Sequence, residues 1–239
     1  MTLLIEKYNY VTINRQSVEG KRLYSCPDGS NVPSVTTILS STKPLKDVVA
    51  LQQWKDRVGH VKAQEITNEA ASRGTRMHKF LEDYVASGIL NNPGTNPYSQ
   101  LSHKMASCVI NTGLVNVNEI WGSEVSLYYP ELYAGTTDAV GLHNGEPAIL
   151  DYKQSNKPKK REYIEDYFLQ LAAYATAHNH IHRTSIQKGV VLICVKPPEL
   201  SPGIWGSPVY QEFILEGSDF TEYVNKWWDR VEEYYLKNT

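Results

Sequence analysis

The chain carries an Asn-Gly pair, Asn144 and Gly145, between two apolar runs. Asn-Gly in this setting is the strongest short-range signal for a β-hairpin, because both central residues of a type I′ turn need a positive φ. The two runs are therefore predicted to pair as neighbouring strands. Counting outward from the turn in equal steps places Asp138 on the first strand directly opposite Asp151 on the second.

Two carboxylates that face each other on a sheet destabilise it unless a proton or a cation is shared between them. Side chains alternate along a strand, so Lys153 projects from the same face as Asp151. Both follow an apolar segment, 148–150, that is typical of a buried strand. The convergence of Asp138, Asp151 and Lys153 indicates a divalent-metal site for phosphodiester hydrolysis, in which the metal lowers the pKa of a water molecule.

A second group of polar residues lies in the segment 168–175, whose composition favours a helix. Gln170 and Tyr174 are one turn apart on such a helix and share a face. Each residue taken alone is typical of ordinary packing. Because they follow the strand motif, they become candidates for the same site.

Four motifs together resemble the PD-(D/E)XK nuclease superfamily, and specifically its RecB-like exonuclease branch. The motifs are Arg73–Glu82, Gly135–Asp138, Asp151–Lys153 and Gln170–Tyr174. The segment 33–39 and the residues around Trp54 are similar to single-strand exonucleases of the mitochondrial genome maintenance type and to their compact phage and bacterial relatives. The resemblance covers roughly residues 33 to 236.

The resemblance implies an α/β fold with a mixed central β-sheet flanked by helices. This restriction-endonuclease-like core would carry a helical N-terminal portion over its active face. The resemblance also implies a site for Mg²⁺ or Mn²⁺, and the three cysteines are too few for the four-cysteine iron–sulfur cluster of several relatives. The implied metal ligands are His78, Asp138, Asp151 and the main-chain carbonyl of Tyr152. The implied catalytic residues are Asp138, Asp151, Lys153, Gln170 and Tyr174.

Three further positions bear on the site. Relatives often have a glutamate where this chain has Glu124, and it contributes there through water or a second metal; an exposed strand glutamate without such a role fits equally well. Thr137 replaces the proline that the family has before the aspartate. Gln154 follows the lysine where many relatives have threonine or serine. Neither departure removes a charged group, so they concern the positioning of the attacking water and not the reaction class.

The formal net charge of −2 argues against indiscriminate coating of nucleic acid. A basic run without acids nevertheless follows the metal-site strand, and its position favours phosphate contacts over a solvated loop. The residues predicted to contact DNA are Lys157, Lys159, Lys160, Arg161 and, from the upstream motif, Arg73. His178, His180 and His182 alternate in a predicted loop and are interpreted as incidental, because Mg²⁺ does not select three imidazoles.

The chain has 239 residues, of which 41% are hydrophobic and 21% charged, as in ordinary globular proteins. It has no apolar run of the ~20 residues that span a bilayer, and because its first residues resemble neither a signal peptide nor a transit peptide, none is expected. A protein of the cytoplasm of a bacterial or phage-infected cell is expected. The domain prediction is a hairpin extension over 1–32 and a nuclease domain over 33–239.

The local patterns also predict the order of helices and strands. Strands are predicted over 8–13 and 22–24, paired as a hairpin, and over 119–129, 134–142, 146–154, 189–195 and, at a sheet edge, 209–215. Helices are predicted after an N-cap at Ser34, over 45–58 and 60–86 with a break near Gly59, and over 99–111, 163–178 and 219–236.

The sequence therefore predicts a metal-dependent single-strand DNA exonuclease of DNA replication, repair or recombination. The helical segment 45–86 would roof the active face, so that a single strand threads beneath it from a free end. Two alternatives stay open: a structure-specific or restriction-type endonuclease of the same superfamily, and a catalytically silent nucleic-acid-binding module. The intact Asp138, Asp151 and Lys153 disfavour the silent module.

Overall fold

The structure is a computed structural model that describes residues 4–18 and 21–238. Its helices are α1 (Val35–Ser41), α2 (Leu45–Val58), α3 (His60–Ser87), α4 (Pro97–Thr112), α5 (Glu165–His182) and α6 (Gly217–Asn238). Its strands are β1 (Asn14–Val18), β2 (Lys21–Ser25), β3 (Asn31–Pro33), β4 (Val117–Tyr129), β5 (Tyr133–His143), β6 (Glu146–Ser155), β7 (Lys188–Val195), β8 (Glu199–Ser201), β9 (Ile204–Trp205) and β10 (Val209–Glu216).

A five-stranded sheet in the order β10-β7-β6-β5-β4 forms the centre of the molecule. β6 and β7 are parallel, and the other neighbouring strands are antiparallel. Parallel neighbours need a crossover connection, which α5 supplies between β6 and β7. The predicted fold class, a mixed central sheet flanked by helices, is confirmed.

Both faces of this sheet are buried, which explains the nearly continuous apolar run of β7. Ile149 and Val191 belong to one core with residues of α5 and α6. Leu150 and Val190, their neighbours along the strands, belong to a second core with residues of α3 and α4. The alternation of side chains across a strand thus places the sheet between two helical layers.

The hairpin between β5 and β6 closes at Asn144 and Gly145, with φ angles of 51° and 82°. Its pairing runs from His143 with Glu146 to Ala139 with Leu150, which is the predicted register. Asn and Gly tolerate positive φ better than other residues, so this short turn fixes the pairing of both strands.

Beyond this ladder the two strands separate. β5 continues along β4, and β6 continues along β7. The next residues outward are Asp138 and Asp151, and Oδ2 of Asp138 accepts a hydrogen bond of 2.6 Å from the backbone N–H of Tyr152. The separation opens a gap between β5 and β6, here called the notch, at the predicted metal site.

The helices before the sheet follow the sequence closely. Ser34 is the N-cap of α1, and its hydroxyl accepts a hydrogen bond of 2.9 Å from the N–H of Thr37. Gly59 separates α2 from α3 with a φ of 86°, which L side chains rarely adopt. α3 packs against α4 and β6, whereas α2 buries none of its residues. The predicted cap and the predicted break are both confirmed.

Two local predictions are wrong. The first hairpin pairs β1 with β2, so residues 8–13 form no strand; its turn lies outside the described residues. α5 continues to His182, so the three alternating histidines are helical. His178 is buried, with Nε2 at 3.0 Å from the hydroxyl of Tyr10. Packing of the segment 8–13 onto α5 overrides the weak helix propensity of these histidines.

The N-terminal strands form a separate three-stranded sheet in the order β1-β2-β3. β3 extends from Asn31 to Pro33, across the predicted boundary at residue 32, and packs near Ala134 of β5. The division into an extension and a nuclease domain stays a prediction. Among the described helices, none combines the length and apolar character that a membrane span requires.

Candidate active site

Three ligand-bearing side chains meet at the open end of the notch. One ligand atom from each of His78, Glu124 and Asp138 lies within 4.8 Å of the others. They come from α3, β4 and β5, and α3 is distant in sequence from the two consecutive strands. His78 Nδ1 is 3.4 Å from Oδ1 of Asp138. The structure therefore joins Glu124 to two of the predicted metal ligands.

Local backbone geometry explains the position of Glu124. The pairs Ser123 with Ala139 and Val125 with Thr137 place Glu124 across from Asp138. Glu124 has a φ of 51°, a left-handed conformation that is uncommon outside glycine. Non-glycine residues in such conformations concentrate at functional sites, which agrees with the grouping of these carboxylates.

Asp151 lies deeper in the site and faces Lys153. It is 4% exposed, and the Lys153 ammonium is 2.6 Å from its carboxylate. Lys153 donates a hydrogen bond of 2.6 Å to Oδ1 of Asp151, and its ammonium lies equally close to Oδ2, so both oxygens face this cation. Each carboxylate oxygen has two lone pairs, so Asp151 can bind a metal ion while it pairs with Lys153. Whether the Tyr152 carbonyl joins it as a ligand stays a prediction.

Burial and charge act in opposite directions on these groups. Burial opposes ionisation of Asp138, but the hydrogen bond and charge of His78 outweigh it and lower the pKa of Asp138. Burial, aided by repulsion from Asp138, raises the pKa of Asp151 to about 6 against the opposing charge of Lys153. The pKa of Glu124 is raised to about 7, mainly by partial loss of hydration and secondly by repulsion from Asp138. Glu124 nevertheless keeps contact with solvent. The residual repulsion is of the kind that a divalent cation relieves.

The carboxylates also change the pKa values of the nearby basic residues, Lys153 and His78. Burial alone would lower the pKa of Lys153, but the carboxylates of Asp151 and Asp138 outweigh it and raise the pKa of Lys153. Burial likewise opposes the charge of His78, and Asp138 outweighs it and raises the pKa of His78. The carboxylates therefore stabilise the protonated forms of both residues.

Residues of α5 form the wall opposite α3. Tyr174 is buried and contacts β5 so closely that a Cβ on Gly135 would lie 2.8 Å from its hydroxyl. Gly135 of the predicted motif therefore makes room for Tyr174. Gln170 is half-buried on the same helix. The catalytic roles of Gln170 and Tyr174 stay predictions.

Tyr167, which none of the sequence motifs indicated, also lies at the site. Its ring centre lies 5.3 Å from the Lys153 ammonium, at the distance of a cation–π contact. Tyr167 precedes Gln170 by three positions and Tyr174 by seven, so the three residues share one helical face. This spacing is the signal that could have identified it.

Arg73 is placed differently from the prediction. It is 1% exposed, and its guanidinium donates to Gln154, Glu69 and Asn156. It cannot contact DNA from this position, and the predicted contact is corrected. Gln154 also donates to the carbonyl of Ala70 at 3.0 Å. The Arg73–Gln154 contact holds α3 against β6.

The basic run divides into two parts. Lys157 and Lys159 line a cleft of about 680 Å³ between α2, α3 and the end of β6, together with Trp54 and Tyr167. We call it the basic cleft. Lys160 is exposed. Arg161 instead donates to the carbonyl of Ile214 and to Asp219, and it stacks on Phe168. These contacts tie the start of α5 to β10 and α6, so the predicted DNA contact of Arg161 competes with a structural role.

The donor set fits a hard divalent cation. Carboxylate oxygens predominate, and Mg²⁺ and Mn²⁺ prefer oxygen ligands with few imidazoles. Asp151 adds a further carboxylate near the grouped atoms of His78, Glu124 and Asp138, close enough for its charge to act on His78. Sequence reasoning assigned Asp151 to the metal and left Glu124 undecided, whereas the structure groups Glu124 with the ligands and turns Asp151 toward Lys153.

Three proteins similar to this chain share one name, mitochondrial genome maintenance exonuclease 1. The Xenopus tropicalis protein is 32% identical over 219 residues, which cover 86% of this chain and 58% of that protein. The Mus musculus protein is 30% identical over 215 residues (86% and 59%), and the Homo sapiens protein is 28% identical over 216 residues (85% and 58%). The chain thus spans about three fifths of the length of these relatives. No protein-family model matches it.

Proposed function

Because this chain is related to the mitochondrial genome maintenance exonucleases over most of its length, we propose that it is a metal-dependent exonuclease that hydrolyses single-stranded DNA from a free end. The observation that carries the proposal is the grouping of His78, Glu124 and Asp138 beside the Asp151–Lys153 pair at the notch. The proposed setting is DNA replication, repair or recombination in the cytoplasm of a bacterial or phage-infected cell.

The carboxylates and His78 would hold Mg²⁺ or Mn²⁺, with Asp151 supplying a carboxylate oxygen while it pairs with Lys153. Such an ion lowers the pKa of water and neutralises charge on the scissile phosphate. Lys153 would then donate hydrogen bonds to the phosphate or to the attacking oxygen, where negative charge develops. Asp151 and Tyr167 fix the position of the lysine from two sides.

The basic cleft supports unpaired DNA as the substrate. It presents two lysines for phosphates and two aromatic rings, Trp54 and Tyr167, for bases. Stacking on aromatic side chains contributes about 1–3 kcal/mol per base and requires that the base be unpaired. The cleft adjoins the site directly, since Tyr167 contacts both the cleft and Lys153.

An endonuclease of the same superfamily remains the alternative. The feature that favours an exonuclease over an endonuclease is the roof that α3 forms over the notch. α3 carries His78 and is held to β6 by Arg73, so the metal site is complete only while this helix lies across the notch. A fixed roof admits a free end more easily than an internal segment of a closed circle.

The test is incubation of end-labelled linear single strands, covalently closed single-stranded circles and linear duplexes with Mn²⁺ or Mg²⁺. We expect degradation of the linear single strand, resistance of the circle, slower degradation of the duplex and no activity in EDTA. Purified Asp151→Asn protein serves as the control for contaminating nucleases and should be inactive. Equal rates on circles and linear strands would support the endonuclease instead, and activity in EDTA would refute the metal site.

A further inference from the structure

A second cavity opens on the opposite side of the site from the basic cleft, along the outer edge of β4. Its volume is about 420 Å³, within the range of ligand pockets. Residues 121–126 of β4 form one wall, and the segment 4–12 forms the other. Glu124, one of the three grouped ligand residues, lies in its wall. We call it the edge cavity.

The fold holds the wall made by the segment 4–12 in place. The N–H of Ile5 donates to the carbonyl of Ile120 at 2.7 Å, which fixes the segment to β4. Further along, the hydroxyl of Tyr10 is 3.0 Å from Nε2 of His178 on α5. The ring of Tyr10 lies so close to Gly122 that a Cβ there would be 2.5 Å from it. The edge cavity is therefore bounded by two anchored elements.

The chemistry of the lining disfavours a phosphate and suits an uncharged polar group. Among the described residues that line the cavity, none is a lysine or arginine, and Glu6 and Glu124 would repel an anion. The other polar lining residues are Tyr8, Asn9, Tyr10, Thr12, Ser123 and Ser126. β4 is an edge strand of the sheet, so backbone N–H and C=O groups along this side also offer hydrogen bonds.

A nucleoside has these properties: a flat base with donors and acceptors at its edge, and a sugar with hydroxyl groups. β5, which carries Asp138, lies between β4 and β6. A strand that crosses the notch therefore passes from the two lysines of the basic cleft, over the metal ligands, to the edge cavity. The charges along this path change from positive in the basic cleft to negative in the edge cavity. The positive end suits the phosphates of the entering strand, and the negative end suits an uncharged nucleoside beyond the cleaved bond.

We propose that the edge cavity binds the base and deoxyribose of the nucleotide next to the scissile phosphate on the β4 side, with the phosphate left at the metal ligands. Its part in the reaction rests on the proposed function, but binding of the nucleoside does not. The cavity thus positions the strand by a group that carries no charge, whereas the basic cleft holds the opposite side of the strand by its phosphates.

Binding is tested with deoxyadenosine, which has no phosphate, and the full ¹⁵N-labelled chain in EDTA. We expect saturable chemical-shift changes confined mainly to backbone amides of residues 4–12 and 121–126. Absence of saturable changes there would overturn the proposal. Changes confined to other residues, such as those of the basic cleft, would overturn it as well.

Two variants fill the cavity from exposed positions, Asn9→Trp and Thr12→Trp. Each should weaken deoxyadenosine binding at least tenfold and leave the melting temperature close to that of the unmodified protein. Ile5→Trp is the matched control, because Ile5 is exposed in the same segment and does not line the cavity. Unchanged binding in both filled variants, or equal weakening in the control, would refute the assignment.

Nuclease assays on the same samples with Mn²⁺ separate this proposal from the proposed function. An active enzyme whose lining residues do not respond to deoxyadenosine would refute the edge cavity alone. Deoxyadenosine binding that the filled variants abolish, in a protein without metal-dependent hydrolysis, would refute the exonuclease assignment and leave the cavity assignment standing.

Discussion

Replacing Lys153 should distinguish the chemical step from the binding of DNA. Its ammonium lies 2.6 Å from the Asp151 carboxylate and 22% of its side chain is exposed, so it can reach the reacting phosphate. We expect Lys153→Ala to lower kcat by about a hundredfold or more, because it removes a charge aimed at the transition state. Single-strand affinity, measured by fluorescence anisotropy with Ca²⁺, should change much less. Lys159→Ala is the control, and it should affect affinity more than kcat.

The protonation state of Glu124 should affect the stability of the folded protein. Its raised pKa means that the folded protein prefers the neutral carboxyl, so this stabilisation is complete below the usual pKa of 4.5 and is lost as pH rises through about 7. Glu124→Gln keeps the neutral form at every pH. In EDTA, the variant should melt at a higher temperature than the unmodified protein at pH 8, with the difference shrinking toward pH 5. Glu232→Gln, at an exposed position of α6, should show no such trend; a pH-independent difference at Glu124 would contradict the assignment.

At the scale of elements, α3 connects the metal site to the loop after β6. It carries both His78 and Arg73, and Arg73 bonds to Gln154 and Asn156. Gln154 has a structural role at this position, since its amide oxygen accepts from the Arg73 guanidinium and its amide nitrogen donates to the carbonyl of Ala70. This contact fixes α3 in the position that brings His78 to Asp138.

The loop between β6 and α5 is predicted to contact the phosphates of DNA. Replacing Lys157, Lys159 and Lys160 with alanine should weaken single-strand binding and reduce its salt dependence, because each lost phosphate contact removes about 0.7 from the logarithmic slope. The loss of three phosphate contacts should therefore reduce this slope by about 2. The measurement is the dissociation constant across a range of salt concentrations.

The control for this loop removes the same charge elsewhere, by alanine at Lys104, Lys226 and Lys237 of α4 and α6. These changes should leave the salt slope nearly unaltered. If both triple variants change the slope equally, the loop acts only through net charge and makes no specific phosphate contact.

At the scale of the whole molecule, the sheet acts as a fixed partition between two cores. One core involves α5 and α6, and the other involves α3 and α4. The site lies where β5 and β6 separate, so it receives Tyr174 from one layer and His78 from the other. The basic cleft and the edge cavity extend from this point in opposite directions across the sheet.

The features that depend on near neighbours could be predicted from the local sequence. Asn144 and Gly145 set the turn and register of the hairpin, Ser34 began α1, and Gly59 separated α2 from α3. These signals are local because a turn or cap satisfies backbone groups within a few residues. The residue motifs likewise indicated relatives that the comparisons then confirmed.

Which distant residues come into contact depends on the packing of the whole chain. Glu124 and His78 are far apart along the chain, and only the pairing of β4 with β5 and the packing of α3 bring them to Asp138. The sequence predicts Arg73 as a surface cation, yet it is buried and its guanidinium donates to Gln154 of β6. No local pattern encodes such contacts, because their energies arise from burial and charge between segments that meet only when the whole chain has folded.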